Sequence, residues 1–212
     1  MQKDRKEQYM LFALALFPCI GWGLLHLGSL IFRHHIHYPK LLCYTAYRTL
    51  YLLSTLVYLP LLRYIYKKWL PSLYRAYEKI YLRYTILAII FILFGFFFKT
   101  KFCNYILDGC FISPFIEEII SRFMLYEAKK YSCKLYVLVA LLSSLAFSLM
   151  HIGYDPFVLI KPILLPKLSE HFLFGCVLCS IFWFFPRLSL LISIHAISNL
   201  WGILANELGY PW

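Results

Sequence analysis

Charge is what this sequence has least of. Charged residues make up 15% of its 212 positions, and only ten are Asp or Glu, against 21 Lys and Arg. Soluble globular chains carry about 25% charged and roughly 45–50% apolar residues. Here hydrophobic residues reach 62% and the mean hydropathy is +0.70. The composition is that of an integral membrane protein, with no room for a sizeable soluble domain.

Other absences narrow the chemistry. The sequence has no H-E-x-x-H, so a zincin-type metal site is unsupported. Neither G-x-S-x-G nor a Gly-x-Gly-Asp pair occurs, which argues against serine and aspartyl intramembrane proteases. No Walker or dinucleotide fingerprint is present. Internal repeats, low-complexity tracts and linkers are also missing. The chain therefore reads as a single membrane domain over 1–212, with variable N-terminal helices in 1–104 and a motif-bearing core in 105–205. The lack of paired repeats also counts against a transporter.

The expected fold is all-α, a multi-pass bundle of about seven membrane helices. A crossing helix needs about 20 mainly apolar residues, and candidates cover 9–32, 41–62, 84–98, 105–128, 135–152, 171–185 and 188–205. The first is read as a retained helix, since no small-residue cleavage pattern follows it. Residues 63–83 mix Tyr, Trp and Leu with six Lys/Arg, as an amphipathic helix along the membrane interface does.

The net charge of +11 does not indicate nucleic acid, because the basic residues lie in short stretches between apolar runs. They are also unevenly shared. Three fall in 1–8, six in 63–83, three in 129–134 and one in 186–187, against two each in 33–40, 99–104 and 153–170. The bias predicts a cytoplasmic N-terminus and an outside C-terminus. The seven cysteines read as packing residues, including the Cys176-x-x-Cys179 pair inside a presumed helix. His34, His35 and His37 read as a solvated loop.

Against this background six polar residues stand out: Glu117, Glu118 and Arg122 in PFIEEIISR, His151 in FSLMH, and His195 with Asn199 in HAISN. Two carboxylates and an arginine cost about 3 kcal/mol each at mid-membrane, while roughly ten Leu, Ile and Phe return about 0.5 kcal/mol apiece. Ionisable groups kept at such cost mark functional sites by default. Glu118 and Arg122 are four apart, share a helix face and can pair. Glu117 lies about 100° around the axis, free to act elsewhere. His195 and Asn199 also share a face. Ser113-Pro114 resembles a helix start, with Ser as cap and Pro at the first position, and 105–112 is expected to be irregular or re-entrant. Counting about 1.5 Å per residue from the inner ends puts His195 near 10 Å deep and His151 near 24 Å. The residues can meet only if helices tilt or break, or if the helix boundaries differ from these.

These motifs, E-E-x-x-x-R, F-x-x-x-H (Phe147, His151) and H-x-x-x-N, resemble those of the CAAX-protease and bacteriocin-processing family, intramembrane endopeptidases related to the type II CAAX prenyl protease. The resemblance covers about 105–205. It implies peptide-bond hydrolysis without a covalent acyl-enzyme. Glu117 and His151 would activate water, His195 and Asn199 would stabilise the oxyanion, and Glu118 and Arg122 would organise the site. A metal-free mechanism is preferred, with zinc held by the histidines and glutamates as the alternative. The expected partners are a peptide or membrane-protein substrate and the lipid bilayer of a bacterial cell membrane. The competing functional reading is a non-catalytic membrane partner of a sensor kinase, transporter or immunity complex.

Overall fold

In the computed structural model the described residues are most of 5–16, parts of 57–93, and the two stretches 106–151 and 165–209. Among them every regular element is helical. A π-helical turn, Leu107–Ile112, leads into α1 (Ser113–Arg122). A two-residue turn separates α1 from α2 (Leu125–Tyr131), and α3 (Cys133–His151), α4 (Leu165–Phe184) and α5 (Leu188–Glu207) complete the core. The candidate helices at 9–32, 41–62 and 84–98 and the histidines His34, His35 and His37 lie largely or wholly outside the described residues.

The local sequence explains most of the boundaries. Ser132 adopts an extended conformation and its hydroxyl accepts the Leu135 amide at 3.1 Å, capping α3. At the end of α5, Gly209 takes φ +83° and its amide bonds to Asn206 O at 3.2 Å, a glycine-terminated helix end. Two expectations are corrected. After its irregular start the stretch 105–128 does not continue as one helix, because the chain turns at Phe123–Met124. Ser113 is not a cap: it is the first residue of α1, continuous with the π-helix, and its side chain hydrogen-bonds Glu117. Pro114 does sit in the first turn, where its missing N–H costs nothing.

Helices α3 and α4 form an antiparallel pair held close by small residues. Tyr136 Oη donates to Cys179 O at 2.5 Å near one end, and Ser148 Oγ to Leu168 O at 2.5 Å near the other. Between them, Gly175 lies against Ser144, where an added Cβ would come within 3.0 Å of Ser144 Cβ and 3.1 Å of its Cα. Ser143 Oγ donates to Ser121 O, tying α3 to α1. Small residues that let backbones approach are how helices associate where lipid removes the hydrophobic drive.

The core joins Ile116, Ile119 and Ile120 of α1 and Phe123 of the turn after it to Leu178 and Phe182 of α4 and Leu191 of α5. Leu62, Tyr66 and Leu70, spaced four apart, enter the same core, while Arg63, Tyr64, Lys67 and Lys68 stay exposed. That division is the amphipathic pattern expected for 63–83. The outer surface, in contrast, is oily. Leu138, Leu141, Leu145 and Leu149 line one exposed stripe of α3, and Ile197, Trp201, Leu204 and Leu208 another on and just past α5. Among the described residues one helix, Leu188–Glu207, is long and apolar enough to cross a membrane, with a mean hydropathy of 1.7. Cys133–Leu149 and Leu168–Phe184 are shorter apolar stretches.

Because Gly175 meets Ser144 backbone as well as side chain, Gly175→Ala should force α3 and α4 apart. We expect a loss of roughly 1–3 kcal/mol, read as a lower unfolding midpoint in detergent. Ser144→Gly should relieve part of it in the double variant.

Candidate active site

Five of the six polar residues singled out from sequence are joined by contacts in the core, and Asn199 lies one turn along the same helix from His195. α1 supplies Glu117, Glu118 and Arg122, α3 ends on His151, and α5 supplies His195 and Asn199. Glu118 and Arg122 have no exposed surface, Glu117 is 5% exposed and His195 2%. His151 is the open edge of the group, with 27% of its side chain accessible.

Glu118 is the link between elements. Its Oε1 accepts the Nδ1–H of His195 at 2.9 Å, and its Oε2 lies 3.8 Å from Arg122 Nε. The four-residue spacing therefore does place the arginine and the carboxylate together, as an ion pair at long range. None of the three guanidinium nitrogens has a hydrogen-bond partner among the described residues. The Arg122 guanidinium carbon instead sits 4.6 Å from the Phe147 ring centroid, over its face, an arrangement worth about 2 kcal/mol when desolvated.

Phe147 is a hub. Its ring centroid is 4.5 Å from that of His151 and 5.6 Å from that of His195, and Phe174, 6.4 Å from Phe147, also packs on His195 at 5.4 Å. The motif spacing of F-x-x-x-H thus puts one aromatic ring beneath Arg122 and beside both histidines.

Hydrogen bonding fixes the histidine tautomers. His151 Nδ1 is 2.8 Å from Phe147 O, and a carbonyl only accepts, so Nδ1 carries the proton. In neutral His151 the other nitrogen, Nε2, then presents a lone pair. It lies 3.5 Å from Glu117 Oε2, while His195 Nε2 is 3.8 Å from the same oxygen. Glu117 Oε2 has no hydrogen-bond partner among the described residues. Two acceptors thus converge where nothing among the described residues donates to both.

Asn199 is placed by a different contact. Its Nδ2 donates to Gly109 O of the π-helix at 2.7 Å. The amide therefore anchors irregular backbone beside the site, a use that its i, i+4 relation to His195 did not reveal. His171, at the start of the apolar part of α4, stacks on His151 with centroids 4.5 Å apart and planes 25° apart. No local signal marks it, since a histidine at the start of an apolar run is common at a membrane surface. Among the described residues no three His, Cys, Asp or Glu side chains cluster as a metal would require.

The Glu118–Arg122 arrangement yields a stability prediction. Removing one member of a buried charge pair typically costs about 3–5 kcal/mol, because the other is left uncompensated. Arg122→Met alone should lie in that range by denaturant titration in detergent. Adding Glu118→Gln should cost less than the sum of the two single changes. Strict additivity would mean that the two groups do not sense each other.

Residues 99–201 match the family described as type II CAAX prenyl endopeptidase Rce1-like. Neither a curated protein nor a solved structure matches the chain.

Proposed function

We propose, from the premise that residues 99–201 are a region of the Rce1-like family of type II CAAX prenyl endopeptidases, that this protein is an intramembrane endopeptidase that cleaves with a carboxylate-activated water. The family supplies the coarse activity, a protease acting on peptide or protein substrates. The residues here support the finer steps.

The observation that carries the mechanism is the convergence of Glu117 Oε2 and His151 Nε2, two acceptors 3.5 Å apart. One water can donate an O–H to each, leaving an oxygen lone pair for a peptide carbonyl. As that oxygen bonds to the carbonyl carbon, a water proton passes to Glu117 and the carbonyl π pair moves to its oxygen. His195 is the candidate donor to that oxyanion. With Nδ1–H held by the Glu118 carboxylate, the imidazolium form carries its second proton on Nε2, facing Glu117. Asn199 has two amide N–H groups, one of them on Gly109 O, and the second is the other donor we assign to the oxyanion. When the C–N bond breaks, the Glu117 proton moves to the leaving amine. Glu118 and Arg122 position His195. No step requires a metal, although zinc on the histidine and glutamate side chains is the alternative route to the same activated water.

The exposed leucine stripe of α3 and the Ile197–Leu208 stripe of α5 support a bilayer as the surrounding medium. We place the protein in a bacterial cell membrane as a multi-pass bundle. Its substrate is then a peptide or membrane protein, in bacteriocin maturation, self-immunity or peptide signalling.

Glu117→Gln and His151→Ala should each reduce cleavage about 10²–10⁴-fold, the usual contribution of a general base, with unchanged protein level in the membrane. The readout is the set of new peptide N-termini in cells carrying the wild type and absent with each variant. Undiminished processing in both variants overturns the hydrolase reading in favour of a non-catalytic partner. Loss of wild-type activity on zinc chelation moves the mechanism to a metal-activated water.

A further inference from the structure

Of the histidines among the described residues, His171 is the one left idle by the steps assigned to Glu117, His151 and His195. We infer that His171 is a positioning residue. Its ring, laid along that of His151, holds His151 Nε2 where it and Glu117 Oε2 share one water. This rests on the endopeptidase reading above.

The need for such a clamp follows from the place of His151. It is the last residue of α3, and 27% of its side chain is accessible, whereas Glu117 and His195 are almost fully covered. The Nδ1–H bond to Phe147 O at 2.8 Å fixes one edge of the ring. That bond alone leaves the plane undetermined, because the terminal torsion of a histidine side chain is broad instead of staggered. Nε2 lies 3.5 Å from Glu117 Oε2, and a water bonded to both acceptors stands about 2.8 Å from each. A swing of the ring about its Nδ1 bond carries Nε2 off that point. Misplacement by about 1 Å can cost about 10²-fold in rate.

Two rings settle the plane. Phe147 meets the imidazole at a tilt of 43°, but it belongs to the same helix and moves with it. His171 comes from α4 and lies nearly parallel, with 25° between planes and 4.5 Å between centroids. α4 is itself indexed at this level. Leu168, three residues before His171, accepts the hydroxyl of Ser148, three residues before His151. Phe174, three residues after His171, packs on Phe147 at 6.4 Å and on His195 at 5.4 Å. Leu168, His171 and Phe174 thus form one row, and helix residues so spaced are neighbours on one face. The row is held on either side of His171, so that ring resists a swing of His151 instead of following it.

Imidazole suits that position. His151 and His171 are both partly exposed, and an imidazole presents an apolar body with a polar tip. Its face covers His151 without drawing polar atoms into the core. An aliphatic side chain would fill the space but impose no plane. Ring against ring turns the packing of α3 on α4 into the orientation of one nitrogen.

The test uses the full chain with His171→Phe, which keeps a flat ring, and His171→Ala, which removes it. In cells at matched protein level, the Glu117-dependent new N-termini should form up to about 10²-fold more slowly in His171→Ala. His171→Phe should stay near the wild-type rate. Equal loss in both variants overturns the inference, since the ring face would then not be what matters. A second readout needs no turnover. Detergent-solubilised protein is treated with diethyl pyrocarbonate, and carbethoxylation of each histidine is followed by peptide mass spectrometry. His171→Ala should speed modification of His151 severalfold and leave buried His195 as slow as in the wild type, while His171→Phe changes neither. Unchanged modification of His151 in His171→Ala, or a matching rise at His195 that reports a loosened core, sinks the proposal. If Glu117→Gln changes no termini, the endopeptidase reading fails on its own, and the carbethoxylation rates still decide whether His171 holds the ring.

Discussion

The rest of the site depends on the burial of Glu118. A carboxylate with no exposed surface inside an apolar bundle must be met by partners, or its desolvation outweighs what nearby leucines and isoleucines return. Arg122, one turn later, supplies opposite charge at 3.8 Å but no hydrogen bond, and His195, from a helix far along the chain, supplies the bond at 2.9 Å. The compensation therefore comes from outside α1. α1 keeps its charges only when α5 is docked with His195 at the right height, so folding of the core and assembly of the site are one event. The same contact selects the His195 ring orientation. A stability requirement has become a positional one, as buried polar networks impose when every member is tied to the next.

Phe147 shows the complementary device. Arg122 has more donors than the core offers acceptors, and the electron-rich face of an aromatic ring is the substitute. The ring that covers the guanidinium also flanks both histidines, so their separation is set by carbon packing as well as by hydrogen bonds. The π-helix works similarly on backbone. A short i→i+5 stretch is unfavourable in isolation and often marks functional sites. Here Gly109 O is held by the Asn199 amide, and Gly109 has Ile203 close above it, 3.1 Å from where a Cβ would stand. Irregular backbone is thus pinned by two residues of α5, one turn apart.

Much of this was legible in the residues themselves. Apolar runs bounded by Lys-rich or Pro-containing breaks located α3 and α5 to within about two residues, because length and hydropathy decide such helices. The start of α4 was placed six residues late, since Lys167, Glu170 and the Pro166 before them look like a loop when only hydropathy is weighed. Asp108-Gly109 announced an interruption, yet nothing local distinguishes a π-helix from a loop. The break at Phe123–Met124 was invisible, as neither residue is a helix breaker. It arises where Phe123 is clasped by Tyr66 and Tyr77 from a distant segment. The six site residues were readable because each is expensive in its surroundings. Phe147 acts through ring contacts, and among 19 Phe and 18 Tyr only its place in F-x-x-x-H marks it.

The depth mismatch between His151 and His195 resolves through unequal helix starts. Counting from Cys133 and from Leu188, the two histidines differ by about 16 Å if α3 and α5 begin level. They do not begin level. Tyr126 bonds to Pro186, two residues before α5, whereas α2 continues five residues past Tyr126 before the chain turns into α3. Those five residues lower the start of α3 by about 8 Å. The remaining 9 Å or so is spanned by the imidazole and glutamate arms extended toward each other, which is how both Nε2 atoms come within 4 Å of Glu117 Oε2. The turn at Phe123–Met124 and the short helix after it are therefore part of the active-site architecture. They set the level from which α3 rises, and with it the height at which His151 meets the acid.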